Sequence, residues 1–414
     1  MFASRLRRLV LATLALAAPA AARAQAPEPE PPMYEMAAPR LSFGGEVTTT
    51  AGPADADAFF NYTDYSTDAL RTLRLRLFAE VHVAGRTSAV VELRSQNMGI
   101  PIAEALYVRW RPFANHDLSI QGGRIPPVIG AFGRRAYGRD NAVIGQPLAY
   151  QYLTSLRPDA VPTSVDDLLR MRGRGWAPSF PIGANTDAPG VPLIASSNWD
   201  TGVEAVWQQA AFNVAASLTR GAPAVPIVRE TNGGLMWAGR GAVHLRGLTA
   251  GLSVARGEWL TDGVLALTPL GRTAPAAQTL IGADAEVGLG QWLVRAEWMT
   301  STFDLPIVDA DPPTLRLGAH SGFLEGRYRL RPRWELGLRL DMLTFSAVTS
   351  PSLAPDARGA RSAPWDAPVQ RAEAALGFRV TRHMEVRGGW QQNWRQGGRV
   401  RVRGVPALSA TYWF

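Results

Sequence analysis

The residues of this 414-residue chain that could do chemistry are arginines and carboxylates set on alternate positions of otherwise apolar segments. Between Arg71 and Val83, the residues Arg74, Arg76, Glu80 and His82 share one parity, while Leu73, Leu75, Leu77, Ala79, Val81 and Val83 take the other. The pattern returns where Glu335, Arg339 and Asp341 alternate with Trp334, Leu336, Leu338, Leu340 and Met342. It returns again where Arg371, Glu373 and Arg379 alternate with Ala372, Ala374, Leu376, Phe378 and Val380. Arg94, Arg109, Arg124, Arg240, Arg295 and Arg387 join the polar parity, as do Glu92, Glu204, Asp284, Glu297 and Glu325. Such rows suit the handling of hydrated ions and polar solutes rather than bond making. The five histidines are scattered, with no His-x-x-x-His or Glu-x-x-His spacing that would hold a metal. Gly-x-Ser-x-Gly and phosphate-loop patterns are absent, and a chain without cysteine has no thiolate ligand and no disulfide framework. The expectation is a protein that is not an enzyme and carries no cofactor or metal.

The elements that position these rows must have a period of two, because only a strand sends successive side chains to opposite faces. Segments of about 10 residues fit a tilted crossing of a bilayer. Sixteen such segments can be marked between Leu41 and Phe414, joined alternately by tight turns (Gly85-Arg86, Gln209-Ala210, Gly247, Leu289-Gly290) and long connections. The fold class expected is all-β: a closed antiparallel transmembrane barrel of sixteen strands with short periplasmic turns and long outer loops, fourteen or eighteen remaining open. Apolar faces then meet lipid, where a charge would cost about 2–4 kcal/mol. The ionic faces line a water-filled lumen, since charges at this density in a dry interior would be heavily penalised. Most of the pairs would brace the wall; Arg74, Arg76, Glu80, Arg94, Arg109, Arg295, Arg339 and Asp341 are the expected pore-wall groups. Trp110, Trp207, Trp292, Trp334 and Tyr412 fall beside short turns or the chain end on apolar parity, the pattern of an interfacial aromatic girdle.

Residues 1–24 read as a secretory leader, with Arg5, Arg7 and Arg8, then Leu9 to Ala18, then Ala22-Arg23-Ala24. Residues 25–40 are a proline-rich lead-in, and 41–414 form the barrel, within which 125–198 is the long third outer loop. Losing four arginines with the leader leaves 39 basic against 35 acidic residues, a net +4 that does not suggest a nucleic-acid partner. A secreted soluble all-β protein is the competing reading of the alternation.

The ending Leu408-Ser409-Ala410-Thr411-Tyr412-Trp413-Phe414 resembles the C-terminal signature of bacterial outer-membrane barrels, in which the last aromatic is read by the barrel assembly machinery; Phe414 takes that role by resemblance. The runs Gly123 to Gly130 and Asn141 to Tyr150 look like the strand-end and third-loop pattern of bacterial porins. In trimeric porins that loop folds inward and narrows the pore, which makes Arg134, Arg135, Arg139, Arg157 and Asp140 the constriction candidates here. Leu218 to Pro223, Asn232-Gly233-Gly234 and Arg240 look like phosphate-selective porins, but this chain has no lysine, so phosphate selectivity does not carry over. The resemblance implies an outer-membrane diffusion channel for small hydrophilic solutes with a mild anion preference, a homotrimer, and contact with outer-membrane lipid and lipopolysaccharide. The alternative is a plugged barrel acting as a receptor, adhesin or lipid-modifying enzyme.

Overall fold

The computed structural model describes residues 41–54, 61, 68, 70–133, 138–175, 179–186, 188–195, 199–227, 231–307, 309, 313–357, 359–398 and 400–414. The expected leader and the proline-rich lead-in lie outside the described residues. Sixteen strands close into one antiparallel barrel. In chain order they are β1 (Leu41–Ala51), β2 (Leu73–Ala84), β3 (Thr87–Gln96), β4 (Ile102–Trp110), β5 (Asp117–Ile125), β6 (Asp200–Gln208), β7 (Phe212–Thr219) and β8 (Met236–Leu245). They continue as β9 (Leu248–Glu258), β10 (Ala277–Leu289), β11 (Trp292–Pro306), β12 (Thr314–Arg331), β13 (Trp334–Phe345), β14 (Val369–Thr381), β15 (Met384–Arg395) and β16 (Val402–Trp413).

Closure removes the free edge that would otherwise template aggregation. The last strand pairs with the first, Glu46 opposite Trp413 and Thr49 opposite Ala410. Phe414 extends the seam: its N–H donates to Gly45 O (3.0 Å), and Gly45 N–H donates back (3.1 Å). Its ring lies over the bare Gly45 backbone and against Phe43. Tight joins use glycine where the chain needs a left-handed residue, as at Gly247 (φ 86°) and Gly290 (φ 62°).

Leucine and valine stand outward and exposed around the wall, among them Leu106, Val203, Leu252, Leu340 and Leu408. An apolar belt that encircles the molecule is untenable in water and is satisfied by acyl chains. The packed core lies inside the barrel. It occupies the long-loop half, where residues 126–199 meet the inner faces of β8 to β14.

Leu252, 69% exposed on β9, tests the outward assignment. Leu252→Arg should destabilise the barrel in lipid vesicles by about 2–4 kcal/mol in urea unfolding, with little effect expected if that face met water.

Candidate functional site

The described residues of 126–199, the connection from β5 to β6, do not stand above the barrel. They run into it and hydrogen-bond to inward side chains at mid-strand. Glu297 of β11 accepts from the backbone N–H of Ala131 (2.7 Å) and Phe132 (3.1 Å) and from the Tyr150 hydroxyl (2.5 Å). Asp341 of β13 accepts from Leu148 N–H (2.7 Å). Three arginines satisfy loop carbonyls: Arg339 donates to Gly145 O (2.5 Å), Arg371 to Gln146 O (3.0 Å) and Arg387 to Asn141 O (2.5 Å). Asp366, before β14, gathers Ser155 N–H (2.7 Å) and Gly173 N–H (2.8 Å) from further along. The reason is general: peptide groups withdrawn from water need partners, and this loop has little secondary structure of its own to supply them. It holds the helices Leu148–Gln151 and Val165–Arg170 and a hairpin of Ala160–Val161 with Ile182–Gly183.

The arginines are themselves held. Arg339 is buried between Glu325 (3.3 Å) and Glu373 (2.7 Å), and Arg371 donates to Asn393 (2.8 Å). Arg387 pairs with Glu385 beside it. Gly337 permits the close seat of the loop, since a Cβ there would stand 1.9 Å from Ala142 O. Burial, and then the neighbouring Glu297 carboxylate, push the Tyr150 hydroxyl well above its ordinary range, so it remains a donor at neutral pH. Burial likewise raises the Asp366 carboxyl, and its N–H donors pull it back only in part.

Toward the long-loop end the inward parity changes from ionic to apolar. Leu280, Met299, Phe303, Leu317, Ala319 and Leu343 pack against Val128, Ile129, Phe132, Tyr150, Leu156 and Leu168 of the loop. The expectation of an ionic, water-filled lumen did not include this apolar zone: much of the inner wall from β11 to β14 is buried under the loop. The sequence signal was present, as Glu297 is followed on its own parity by Met299, and Asp341 by Leu343 and Phe345.

Of the expected pore-wall groups, Arg76, Arg109 and Glu80 keep partial exposure, with side chains 27%, 21% and 17% accessible. Arg76 pairs with Glu92, and Arg109 lies 3.3 Å from Glu80. Arg74, Arg94, Arg339 and Asp341 are buried, Arg94 against Glu104 at 3.2 Å. Arg295 reaches Glu286 (2.8 Å), Glu325 (3.4 Å) and Asp140 O (2.8 Å). Arg124, assigned to the inward face, in fact shares the outward parity of Leu118 and Ile120; it pairs opposite exposed Leu106 and donates to the carbonyls of Trp199 and Ala103.

Among the constriction candidates, Arg134, Arg135 and the side chain of Arg139 lie outside the described residues. Asp140 is exposed in a short 3-10 turn that begins at Gly138, hard against Glu46 of β1. Arg157 departs from the expectation. It is buried in the loop's own interior, paired with Asp159 (2.9 Å) and donating to Thr186 O (2.6 Å), so it meets no pore water. Trp110, Trp207, Trp292, Trp334 and Tyr412 are each 39–49% exposed on the outer surface at the short-turn end. They lie against Phe212, Tyr328, Phe378 and Phe414 where those rings are adjacent.

A cavity of about 260 Å³ lies beneath the loop, lined by Phe132, Gln208, Asn213, Arg240, His244, Asp284, Glu286, Arg295 and Phe323, among others. Two ion pairs line it, Arg240 with Asp284 at 2.6 Å and Arg295 with Glu286. A wall of this kind carries fixed dipoles and few free charges, which suits passage or brief residence of hydrated solutes rather than tight capture of an ion.

No protein-family model matches the sequence, and no curated protein matches it. Solved structures do. The anion-selective porin from Comamonas acidovorans superposes with a TM-score of 0.53 at 13% identity, covering 91% of this chain and 100% of that one. The trimer form of OmpT, an outer-membrane protein of Vibrio cholerae, gives 0.53 at 9% identity, with coverage of 91% and 100%. The outer-membrane channel DcaP of Acinetobacter baumannii gives 0.50 at 11%, with coverage of 92% and 99%. At such identities the likeness is one of fold: this chain has the barrel architecture of outer-membrane porins.

Two substitutions probe the seat of the loop. Arg339→Met removes the buried cation between Glu325 and Glu373 and should lower stability by about 3–5 kcal/mol in urea unfolding. Gly337→Val should unseat the loop, seen as protease cleavage between residues 138 and 150 that the parent barrel resists.

Proposed function

We propose that this chain is a bacterial outer-membrane channel through which small hydrophilic solutes diffuse, with a mild preference for anions. The observation that carries the reading is the inward course of the described residues of 126–199. They are fixed to the wall at Glu297 on one side and set against Glu46 of β1 on another. A barrel that only anchors a surface receptor has no need to draw its longest connection into the lumen. Arg134 and Arg135, which fall in sequence between those two anchors, together with Arg139 and Asp140 just after the second, are the proposed constriction. Arg76 and Arg109 are the accessible cations of the facing wall.

Support for the anion preference is twofold: the excess of arginine over carboxylate on the polar faces, and the likeness in fold to the anion-selective porin from Comamonas acidovorans. A homotrimer belongs to the same proposal, since the Vibrio cholerae OmpT structure is described as a trimer form. So do the interfacial role of the exposed tryptophans and the role of Phe414 as the signal for barrel assembly.

Purified protein in planar bilayers should conduct, and its reversal potential under a salt gradient should lie on the anion side. Arg76→Glu combined with Arg109→Glu should move it toward cations without closing the channel. A barrel that inserts but never conducts would contradict the proposal and favour a plugged receptor.

A further inference from the structure

The short-turn end of the barrel carries an excess of charge that the channel reading does not use. Two neighbouring turns hold it, one between β12 and β13, the other between β14 and β15. Arg329, Arg331 and Arg333 belong to the first, Arg379 and Arg382 to the second, and all five are exposed. The turns are tied together where the N–H of Arg379 donates to Arg333 O (2.8 Å). Glu335 and Glu385, the carboxylates at this end of the wall, are already engaged by Arg327 (2.5 Å) and Arg387. Among the described residues none of the five arginines has an ion-pair partner. Like charges this close repel, and an anionic group laid across them removes the repulsion. Arg329 and Arg379 lie opposite Glu335 and Glu385, on the inward parity, so they face the mouth of the barrel rather than acyl chains.

One segment of this chain has the complementary chemistry and is tethered beside the rim. The lead-in, residues 25–40, carries Glu28, Glu30 and Glu35 among its prolines, and its sole basic residue is Arg40 at the junction with β1. The chain enters β1 at Leu41, which pairs with Val81 near the short-turn end. The barrel order there is β12-β13-β14-β15-β16-β1, counting back round the seam. At ~4.8 Å per strand spacing, the β14–β15 turn is ~10–15 Å from β1 and the β12–β13 turn ~20–25 Å. Glu35 stands six residues before Leu41 and Glu30 eleven. A proline-rich chain at ~3.1 Å per residue then reaches ~19 Å and ~34 Å, which spans both turns. Trp413, half-buried on the inward parity of β16, lies on the route between β1 and the arginines, edge-on to His383. Aromatic rings so placed seat proline-rich chains.

We propose that the acidic lead-in docks across these two turns, crossing Trp413, with Glu35 toward Arg382 and Glu28 and Glu30 toward Arg331 and Arg333. The docked segment offsets three of the five positive charges at the short-turn mouth. The other occupants of such a rim are an anionic phospholipid and the lead-in of a second copy, and the test separates them.

The test uses the full-length protein, which has no cysteine of its own, in neutral detergent with two cysteines introduced and a short bis-maleimide added. P31C/P332C should crosslink within one chain about tenfold faster than P31C/N115C, the effect of three exposed ion pairs. Asn115 lies in the β4–β5 turn, no farther from β1 in the opposite direction, so tethering alone does not favour Pro332. Adding E28Q/E30Q/E35Q to the first pair should abolish the excess, and so should ~1 M salt, where screening acts within ~3 Å. Equal rates for the two pairs, or an excess that survives the three glutamines, would overturn the proposal. Products with the mass of two chains would assign the arginines to a second copy. Loss of the excess in vesicles containing phosphatidylglycerol would assign them to lipid. Either result would also overturn it, and none of these readouts depends on conduction.

Discussion

A loop drawn inside a barrel leaves bulk water, and its peptide groups must then find partners on the wall. That requirement organises this molecule. Glu297 and Asp341 supply acceptors for loop N–H groups, and Arg339, Arg371 and Arg387 supply donors for loop carbonyls. A buried hydrogen-bonding group left unmet costs about 1–3 kcal/mol, so a loop of this size could not stay inside without them. Several charges on the inner faces of β11 to β15 are therefore engaged in holding the loop.

Burying these arginines is tolerable because each is hydrogen-bonded on the wall or to the loop, and Arg339 and Arg387 are ion-paired besides. Arg339 illustrates the balance, with Glu325 and Glu373 on either side and Gly145 O completing its donors. Pairs of this kind contribute little net stability compared with an apolar replacement, yet breaking one partner is costly. Specificity of register is the better account of their presence. The apolar contacts above them, Met299 and Leu343 against Val128, Ile129 and Tyr150, supply the burial that favours the docked loop. The ionic contacts determine where it docks.

The barrel was legible in the sequence because its determinant is local. Alternation over ten or so residues places a face, and tight and long joins alternate in register with it, so sixteen strands could be counted before any contact was known. The inward loop was legible only through resemblance. Which arginine meets which carbonyl depends on residues far apart in sequence, as with Arg387 and Asn141. Arg157 shows the limit well: arginine in a long loop suggested a pore rim, but Asp159 two residues away turns it into an internal strut. Gly337 carried no signal at all, since its need arises solely from the approach of Ala142.

The central claim is that the arginine wall keeps the loop docked in the lumen. The chain contains no cysteine, so a single Ala142→Cys reports on one buried loop position. Reaction of that thiol with a water-soluble maleimide, in the folded barrel, is the most direct measurement. The account predicts slow labelling in the parent background and fast labelling once Arg339, Arg371 and Arg387 are all replaced by methionine. Fast labelling with the three arginines intact would contradict it.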